Sequence, residues 1–376
     1  MSRTGPVGIG IIGAGVISET YLENLSAFPD TRVLAIGDVR PDAARAKAAE
    51  HGVAASGDVN AVLDHPEVEI VVNLTIPAAH VEVAERALAA GKHVWNEKPL
   101  ALDRASGQAV LDRAAAAGLR VGCAPDTFLG AGLQTARRLI EDGTIGQPLT
   151  ALALLQSRGP DAWHPNPEFL FQAGGGPLLD LGPYYLTALV QILGPVQAVA
   201  AIASTARDRR AIGSGPRAGE EFAVTVPSHV GALVQFVGGP SAQLIFSFDS
   251  ALPRTVLELA GRDATMILPD PNNFDGEVRV HRPGATVSEI VAATTSLSTR
   301  GTGVLEMARA IRENRPHRAD GALAFHVLDV MLSIGEAADA GAFVSVASRP
   351  SETSLLPPDW DPLASTTGAS LSGASR

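Results

Sequence analysis

The chain has 376 residues, of which 46% are hydrophobic and 18% are charged. This balance, with no apolar run long and uncharged enough to span a bilayer, predicts a soluble globular protein of about two domains. The net charge of −11 repels phosphate backbones and the basic residues form no cluster, so we expect no nucleic-acid or membrane partner.

The N-terminal stretch "MSRTGPVGIGIIG" lacks an apolar segment followed by a small-residue cleavage site, so a cytoplasmic location is expected. Cys123 is the single cysteine and cannot form an internal disulfide. It is most simply a buried apolar side chain, with a catalytic thiol as the minor alternative. No spacing of His, Cys and carboxylate residues indicates a metal site.

Apolar strands and helices alternate through residues 1–125. The strands are predicted at "VGIGII", "RVLAIGD", "VEIVVNLTI", "HVWNEK" and "LRVGCAP", with helical patterns between them. The Ala-rich second helix is expected to end at a Gly52 cap. Apolar strands that each lead into a helix are typical of a parallel sheet covered on both faces. Residues 1–125 are therefore predicted to form a doubly wound α/β domain.

The pattern changes after residue 125. Short apolar runs with turn-like breaks predict an α+β domain over residues 126–345, built on a large, mostly antiparallel open sheet. Helices such as "PLLDLGPYYLTALVQILG" would cover one face. The other face would bear Val and Leu side chains, so we expect a homodimer or homotetramer through this sheet. Residues 346–376 are predicted to be a partly disordered tail, above all in the last dozen residues.

The motif "GAGVIS" lies between the first strand and the first helix. Gly13 and Gly15 are expected to let the backbone approach a pyrophosphate at the helix N-terminus, next to Val16 and Ile17. Ser18 takes the small position at which helix and strand pack closely. Turn glycines alone are a weak signal, but the strand and helix on either side indicate a Rossmann dinucleotide site.

Asp38 ends the second strand, at the distance expected for a residue that binds the adenosine ribose. Its carboxylate can accept both ribose hydroxyls and repels a 2′-phosphate, which favours NAD over NADP. Arg40 argues weakly against this preference for NAD, since it could lie over the adenine or bind a phosphate.

The stretch "LTIPAAH", where the predicted strand "VEIVVNLTI" ends, places Thr75, Pro77 and His80 at the same sheet edge. We include all three among the candidate cofactor contacts. For His80, a role limited to starting a helix is an equally good alternative.

Glu97 and Lys98 end a predicted buried strand and Pro99 follows them, at the edge where parallel sheets bind their ligands. A solvated lysine is the simple alternative. The apolar residues before Lys98 and the fixed Pro99 instead favour a restrained ammonium beside the nicotinamide. Glu97 is expected to fix the strand end or to contact the cofactor ribose.

The segment "GGGPLLDLGPYYLTALVQIL" places Asp180, Tyr184 and Thr187 on one helix face. First-turn charge for Asp180 and core packing for Tyr184 are the alternatives. The preceding loop, "PDAWHPNPEFLF", supplies Trp163, which could stack on a sugar, and His164, which could bind a hydroxyl. Core packing and a solvated loop are equally open for these two residues.

The stretches "GAGVIS", "NEKPLA", "GTIGQP" and "GGGPLLDLGPYY" together resemble the Gfo/Idh/MocA oxidoreductases, over about residues 7–345. The resemblance includes both glucose-fructose oxidoreductase-like and inositol dehydrogenase-like members. Several members read Asp-x-x-x-His where this chain has Asp180 and Tyr184; the tyrosine is closer to the first group. The usual family aspartate three residues later is Thr187 here, which argues against an inositol-dehydrogenase type of proton relay.

This resemblance implies hydride transfer between NAD and a ring secondary alcohol or ketone of a sugar, glycoside, inositol or related polyol. It implies that Lys98 and Tyr184 bind the reacting hydroxyl and that Asp180 orients the substrate or Lys98. One alternative is an oxidoreductase that keeps NAD tightly bound and cycles it between two substrates. Another is a non-catalytic NAD- or sugar-sensing regulator, against which the presence of Lys98 argues.

Overall fold

The computed structural model describes residues 4–293, 298–350 and 352–366. They divide into two compact units. The first contains the described residues up to Leu129 together with 298–324 and 352–366, and the second contains 130–293 and 325–350. This division differs from the predicted continuous second domain over 126–345. The cause is local: Asp126 accepts hydrogen bonds from the N–H groups of Gly301 (2.9 Å) and Gly303 (3.0 Å), which ties residues 301–303 to the first unit.

The first unit contains a six-stranded parallel sheet with helices between the strands. Its strands are β1 Val7–Ile12, β2 Thr31–Gly37, β3 Ala55–Gly57, β4 Ile70–Asn73, β5 His93–Asn96 and β6 Val121–Cys123. The helices are α1 Val16–Ala27, α2 Pro41–His51, α3 Asn60–Leu63, α4 His80–Ala89 and α5 Arg104–Ala116. All residues of β1 and β4 are buried, as expected for a parallel sheet with two covered faces. The predicted doubly wound fold is confirmed.

The strand order is β3-β2-β1-β4-β5-β6. The chain moves outward from β1 in one direction and then returns to continue from β4 in the other. The carboxyl ends of β1 and β4 therefore flank the topological switch point, where open α/β sheets bind their ligands.

The second unit is built on a nine-stranded sheet in the order β16-β15-β14-β13-β7-β12-β11-β8-β17. Only the β7–β12 pair is parallel. The predicted open, mostly antiparallel sheet is thus confirmed. Its strands are β7 Pro148–Gln156, β8 Val196–Ser204, β11 His229–Phe236, β12 Ser241–Ser247, β13 Arg254–Gly261, β14 Thr265–Ile267, β15 Val278–His281, β16 Glu289–Val291 and β17 Val344–Ser345; β9 Arg209–Ala211 and β10 Glu221–Ala223 form a separate hairpin.

Helices α6, Ala131–Glu141, and α7, Gly176–Leu193, pack on one face of this sheet. Strand β11 shows the reason in its alternation: Val230, Ala232, Val234 and Phe236 are buried, and the residues between them are more exposed. Gly176 begins α7 with a φ of +83°, a backbone conformation that favours glycine.

Two further helices, α8 Thr302–Arg312 and α9 Gly321–Ala340, follow in the chain. Helix α9 is long and apolar enough to cross a membrane by length and composition, so the prediction that no segment meets this criterion was wrong. Of its most apolar 18-residue window, 61% is buried in the protein. Core helices of globular proteins have the same character, so this is weak evidence for a membrane span.

The C-terminal segment has defined contacts up to residue 366, although a partly disordered tail was predicted from residue 346. The Arg309 guanidinium lies 4.5 Å from the Trp360 ring centroid, and the Thr366 hydroxyl donates to Asp30. Arg309 also forms a buried ion pair with Asp30 (2.8 Å). Residues 367–376, on which the strongest part of the disorder prediction falls, lie outside the described residues.

Candidate active site

The glycine turn after β1 has the backbone geometry that its sequence predicts. Gly13 has a φ of +107°, and a Cβ added there would lie 2.7 Å from the carbonyl carbon and oxygen of Leu74. Only glycine fits this turn. Gly15 caps α1, and a Cβ added there would meet no atom within 4 Å. The space beside Gly15, at the N-terminus of α1, is therefore open to a phosphate.

The residues after Gly15 divide between the ligand edge and the core. Val16 is 94% exposed and Ile17 is half-buried, whereas Ser18 is fully buried and its hydroxyl donates to the Gly15 carbonyl (2.6 Å). Two apolar side chains not predicted from the sequence, Val39 and Ile76, are also exposed after β2 and β4. An apolar rim at the carboxyl edge of the sheet suits the flat rings of a dinucleotide.

Asp38 is buried at the end of β2 and holds two loops together. One carboxylate oxygen accepts from the Ala14 N–H (2.8 Å) and the other from the Arg40 N–H (2.8 Å). The exposed Arg40 side chain lies 3.5 Å from the same carboxylate. The glycine turn and the β2–α2 loop are therefore fixed to one negative charge.

A polar network absent from the sequence prediction joins the ends of β4 and β5. The Asn73 amide donates to the Asn96 side chain (2.9 Å) and to the His80 carbonyl (3.0 Å), and accepts from the Thr75 hydroxyl (2.7 Å). Both asparagines are fully buried. The signal in the sequence was an asparagine closing each of two apolar strands, "IVVN" and "HVWN".

His80 starts α4 but is fully buried and lies between two loops. Its Nδ1 is 2.7 Å from the Pro99 carbonyl oxygen, and its Nε2 is 3.1 Å from the Thr75 carbonyl oxygen. Burial lowers the pKa of the imidazole. His80 thus links the loop after β4 to the segment that carries Lys98. Pro77 lies in a short 3₁₀ turn, Pro77–Ala79, within that loop.

Lys98 is partly exposed just beyond the end of β5. The preceding Glu97 is buried, and its two oxygens accept from the Tyr21 hydroxyl (2.9 Å) and from the Lys98 backbone N–H (3.1 Å). The Trp95 indole N–H donates in turn to Tyr21 (3.3 Å). Glu97 therefore fixes the strand end to α1, which is one of its two predicted roles; the ribose contact stays a prediction.

Cys123 is buried on β6, as predicted, and its thiol donates to the Glu97 carbonyl (3.6 Å). Burial raises the pKa of this thiol well above its usual range. A thiol that stays protonated is a poor nucleophile, so this environment argues against catalysis by Cys123.

In the second unit, Asp180 and Trp163 line one cavity of about 330 Å³. Asp180 is half-buried on α7, and Trp163 is 67% exposed on the loop before it. Tyr184 and Thr187 follow Asp180 along α7 and are buried, but they are not among the residues that line this cavity. The other lining residues are Leu155, Gln156, Ser157, Pro160, Leu181, Phe248, Pro253, Arg254 and Thr255.

His164 stacks edge-on between two aromatic rings. Its centroid is 5.5 Å from those of Trp163 and Phe169, and its Nδ1 accepts from the Asn166 N–H (3.0 Å). The structure therefore places His164 beside Trp163 but not among the residues that line the cavity.

A buried arginine supports this loop. Arg210 on β9 forms ion pairs with Asp161 (2.8 Å) and Asp249, and donates to the carbonyls of Arg158 (2.9 Å) and Phe248 (2.8 Å). Sequence reasoning missed this clamp, because its members are 49 and 39 residues apart and no local pattern joins them.

One cluster of possible metal ligands occurs within the described residues. Glu19, Glu50 and His51 bring ligand atoms within 4.8 Å of one another. Lys47 forms ion pairs with both carboxylates, so their negative charge is already partly neutralised. We assign no metal to this cluster.

Comparison with known families agrees with this arrangement. Residues 7–124 match the oxidoreductase family with an NAD-binding Rossmann fold, and residues 133–267 match the GFO/IDH/MocA C-terminal domain. The chain belongs to the GFO/IDH/MocA oxidoreductase family. The family resemblance inferred from the sequence motifs is thereby confirmed, as is its assignment as an enzyme.

Two curated relatives illustrate the range of this family. The dTDP-3,4-didehydro-2,6-dideoxy-alpha-D-glucose 3-reductase of Streptomyces antibioticus is 32% identical over 284 residues, 73% of this chain and 80% of that protein. The myo-inositol 2-dehydrogenase of Thermotoga maritima is 30% identical over 174 residues, 46% of this chain and 51% of that protein. The second match thus spans only about half of the relative.

Among solved structures, levoglucosan dehydrogenase in complex with NADH and L-sorbose has a TM-score of 0.80. It is 21% identical, and the match covers 91% of this chain and 99% of that one. An NAD-binding oxidoreductase from Klebsiella pneumoniae has a TM-score of 0.79 at 21% identity, with 91% and 99% covered. At these identities the likeness shows the fold.

Proposed function

We propose that the protein transfers a hydride between NAD and a secondary alcohol or ketone on the ring of a sugar, inositol or related polyol. The observation that carries this proposal is the position of Lys98 just beyond β5, next to the β4 end of the switch point. The names of the two curated relatives give a dTDP-linked dideoxysugar for the reductase and myo-inositol for the dehydrogenase, and they support the substrate class.

The first unit fits the dinucleotide. Gly13 and Gly15 leave the α1 N-terminus open for the pyrophosphate, and Asp38 places a carboxylate where the adenosine ribose would lie. That carboxylate disfavours a 2′-phosphate, so we propose NAD rather than NADP. When bound, NAD supplies the hydride acceptor.

Residues of the chain accept and donate the proton of the substrate hydroxyl. The bound NAD would take up the hydride from the alcohol carbon, and Lys98 Nζ or Tyr184 Oη would take up the hydroxyl proton, so that a ketone remains. Asp180 orients the substrate hydroxyls by accepting hydrogen bonds from them. Reduction of a ketone follows the same steps in reverse.

The Lys98→Ala variant tests this assignment. We expect NAD binding by fluorescence titration to stay nearly unchanged and turnover to fall by at least about 100-fold, the usual effect of losing an acid–base group. Lys47→Ala, which removes a half-buried lysine on α2 of the same unit, serves as the control and should keep full turnover. Wild-type turnover in Lys98→Ala on the best substrate from a sugar and inositol panel would refute the proposal.

Tyr184→Phe resolves how the proton is shared. If the tyrosine only assists Lys98, its loss should cost less turnover than Lys98→Ala. Because groups in one relay are non-additive, the double variant should be little worse than Lys98→Ala alone. If turnover of the double variant instead falls by the product of the two single losses, the two residues have independent roles.

A further inference from the structure

One rim of the cavity in the second unit is built by the end of β7 and the start of β13. Four polar residues of this rim, Gln156, Ser157, Arg254 and Thr255, line the cavity. Arg254 and Gln156 are directly opposed across the antiparallel β7–β13 pair. Cross-strand neighbours of this kind lie about 5 Å apart at Cβ, so their side chains can act on one ligand group.

Within the described residues, Arg254 has no carboxylate at ion-pair distance and the Gln156 amide has no hydrogen-bond partner. Arg254 is also exposed. Seven other arginines of this unit do pair with carboxylates: Arg137, Arg209, Arg210, Arg217, Arg262, Arg279 and Arg282. A ligand at Arg254 therefore has no internal ion pair to displace.

The chemistry of this pair selects an anion. A guanidinium offers two parallel N–H donors that match a carboxylate or a phosphate, and the neighbouring amide adds a third donor. Hydrogen bonds with a charged partner are stronger than those between two neutral groups. The rim thus recognises an anionic substituent rather than one more neutral hydroxyl.

The remaining lining residues require a hydroxylated ring next to that substituent. Asp180 repels an anion and accepts hydrogen bonds from hydroxyl groups, and the exposed Trp163 offers a flat apolar surface for a sugar face. A ligand that satisfies both carries hydroxyls toward Asp180 and its negative charge toward Arg254.

The size of the cavity is compatible with a small ligand. Its volume of about 330 Å³ is at the lower end of the roughly 300–1,000 Å³ range of small-molecule sites. A monosaccharide fits within this volume.

We infer that the substrate is an anionic monosaccharide whose carboxylate or phosphate binds Arg254 and Gln156. This inference rests on the proposed function and specifies its substrate class. Uronic acids and sugar phosphates share the required chemistry.

The test compares matched ligands and matched arginines. The proteins are wild type, Arg254→Gln and Arg254→Glu. For each, the binding affinity by calorimetry and kcat/KM are measured in two series of ligands. The first is glucose, glucuronate and glucose 6-phosphate, and the second is galactose and galacturonate. Arg207→Gln, which removes an exposed arginine of the same unit away from the cavity lining, is the control. Comparing glucuronate with glucose 6-phosphate shows whether the site prefers a carboxylate or a phosphate.

In wild type we expect at least one anionic sugar to be preferred over its neutral partner. Arg254→Gln should reduce that anionic-to-neutral ratio by about 10- to 100-fold, the range for a charge-assisted hydrogen bond, and Arg254→Glu should reduce it further. Arg207→Gln should keep the wild-type ratio. The inference is overturned if neutral sugars are preferred in wild type, or if the ratio survives in Arg254→Gln.

The binding arm separates this inference from the proposed reaction. Arg254-dependent binding of an anionic sugar without any hydride transfer would support the anion site and count against the dehydrogenase. Lys98-dependent turnover of neutral sugars with no anion preference would support the dehydrogenase and count against the anion site.

Discussion

At the scale of single residues, Asp38 has two functions that one substitution can separate. Its charge is proposed to exclude a 2′-phosphate, and its oxygens hold the N–H groups of Ala14 and Arg40. Asp38→Asn keeps an acceptor for the glycine turn but loses the charge. We therefore expect the NADP-to-NAD ratio of kcat/KM to rise by at least about 10-fold, since removed repulsion shifts specificity.

Asp42→Asn is the matched control for this change. Asp42 lies four residues further on, on the surface of α2, where it pairs with Arg45. Its replacement should leave the cofactor ratio at the wild-type value. An unchanged ratio in Asp38→Asn would remove the basis for NAD preference.

His80 connects the two loops that carry Thr75 and Lys98. His80→Ala leaves the Thr75 and Pro99 carbonyls without this partner and opens a cavity, so we expect the free energy of unfolding to fall by about 2–4 kcal/mol. If His80 also positions Lys98, the pH dependence of kcat should shift in the surviving folded enzyme. Urea unfolding and a pH–rate profile test both points; an unchanged profile would limit His80 to a structural role.

At the scale of elements, the β9–β10 hairpin supports the Trp163 loop through Arg210. Arg210→Ala would leave the carboxylates of Asp161 and Asp249, whose side chains are 15% and 16% exposed, without their cation, a loss worth about 3–5 kcal/mol in comparable buried sites. The neighbouring Arg209→Ala removes an exposed pair with Glu221 and should cost less than about 1 kcal/mol. Urea unfolding of both variants measures the difference, and similar losses would show that the clamp adds no more stability than a surface pair.

Local elements followed closely from the sequence. Strand β1 has its predicted bounds, 7–12, and Gly52 ends α2 with a φ of +67° as its cap pattern indicates. Both depend on neighbours within a few residues. The Arg210 clamp, the Asn73–Asn96 bond and the packing of residues 301–303 against Asp126 depend on pairs far apart in the chain. Periodicity and turn chemistry contain no information on such pairs, so these features could not be predicted.

At the scale of the whole molecule, buried histidines make stability depend on pH. His326 is fully buried; its Nε2 accepts from the Val196 N–H (3.0 Å), and its Nδ1 lies 2.9 Å from the Ser348 hydroxyl. Burial lowers the pKa of His326 to about 4, and does the same for His93. Both side chains are therefore neutral in the folded protein at neutral pH.

The direction of the effect follows from proton binding. Below pH 6.5 these histidines are protonated in the unfolded chain but stay neutral in the folded protein. The free energy of unfolding therefore falls as pH decreases toward 4, and the contribution of the neutral histidines is fully present above pH 6.5. At pH 5 each histidine should cost about 2 kcal/mol. Urea unfolding at pH 7.5 and 5.0 should show this loss, and His326→Gln should show a smaller one. An equal loss in that variant would contradict the assignment.

The uncovered face of the nine-stranded sheet leads to the last prediction. Ile202 is 71% exposed and Leu233 is 51% exposed, and the register places Ile202 beside Gly231 and Leu233 beside Ala200 on the same face. Contiguous apolar surface of this kind is rare on monomers, so we expect a second copy to cover it in a homodimer or homotetramer. Light scattering at micromolar concentration should give at least twice the monomer mass, and Ile202→Lys combined with Leu233→Glu should reduce it. Val237→Glu, at an exposed position beyond the end of β11, is the control and should stay associated. A monomeric wild type, or an association that survives the double substitution, would show that this face is not the contact between copies.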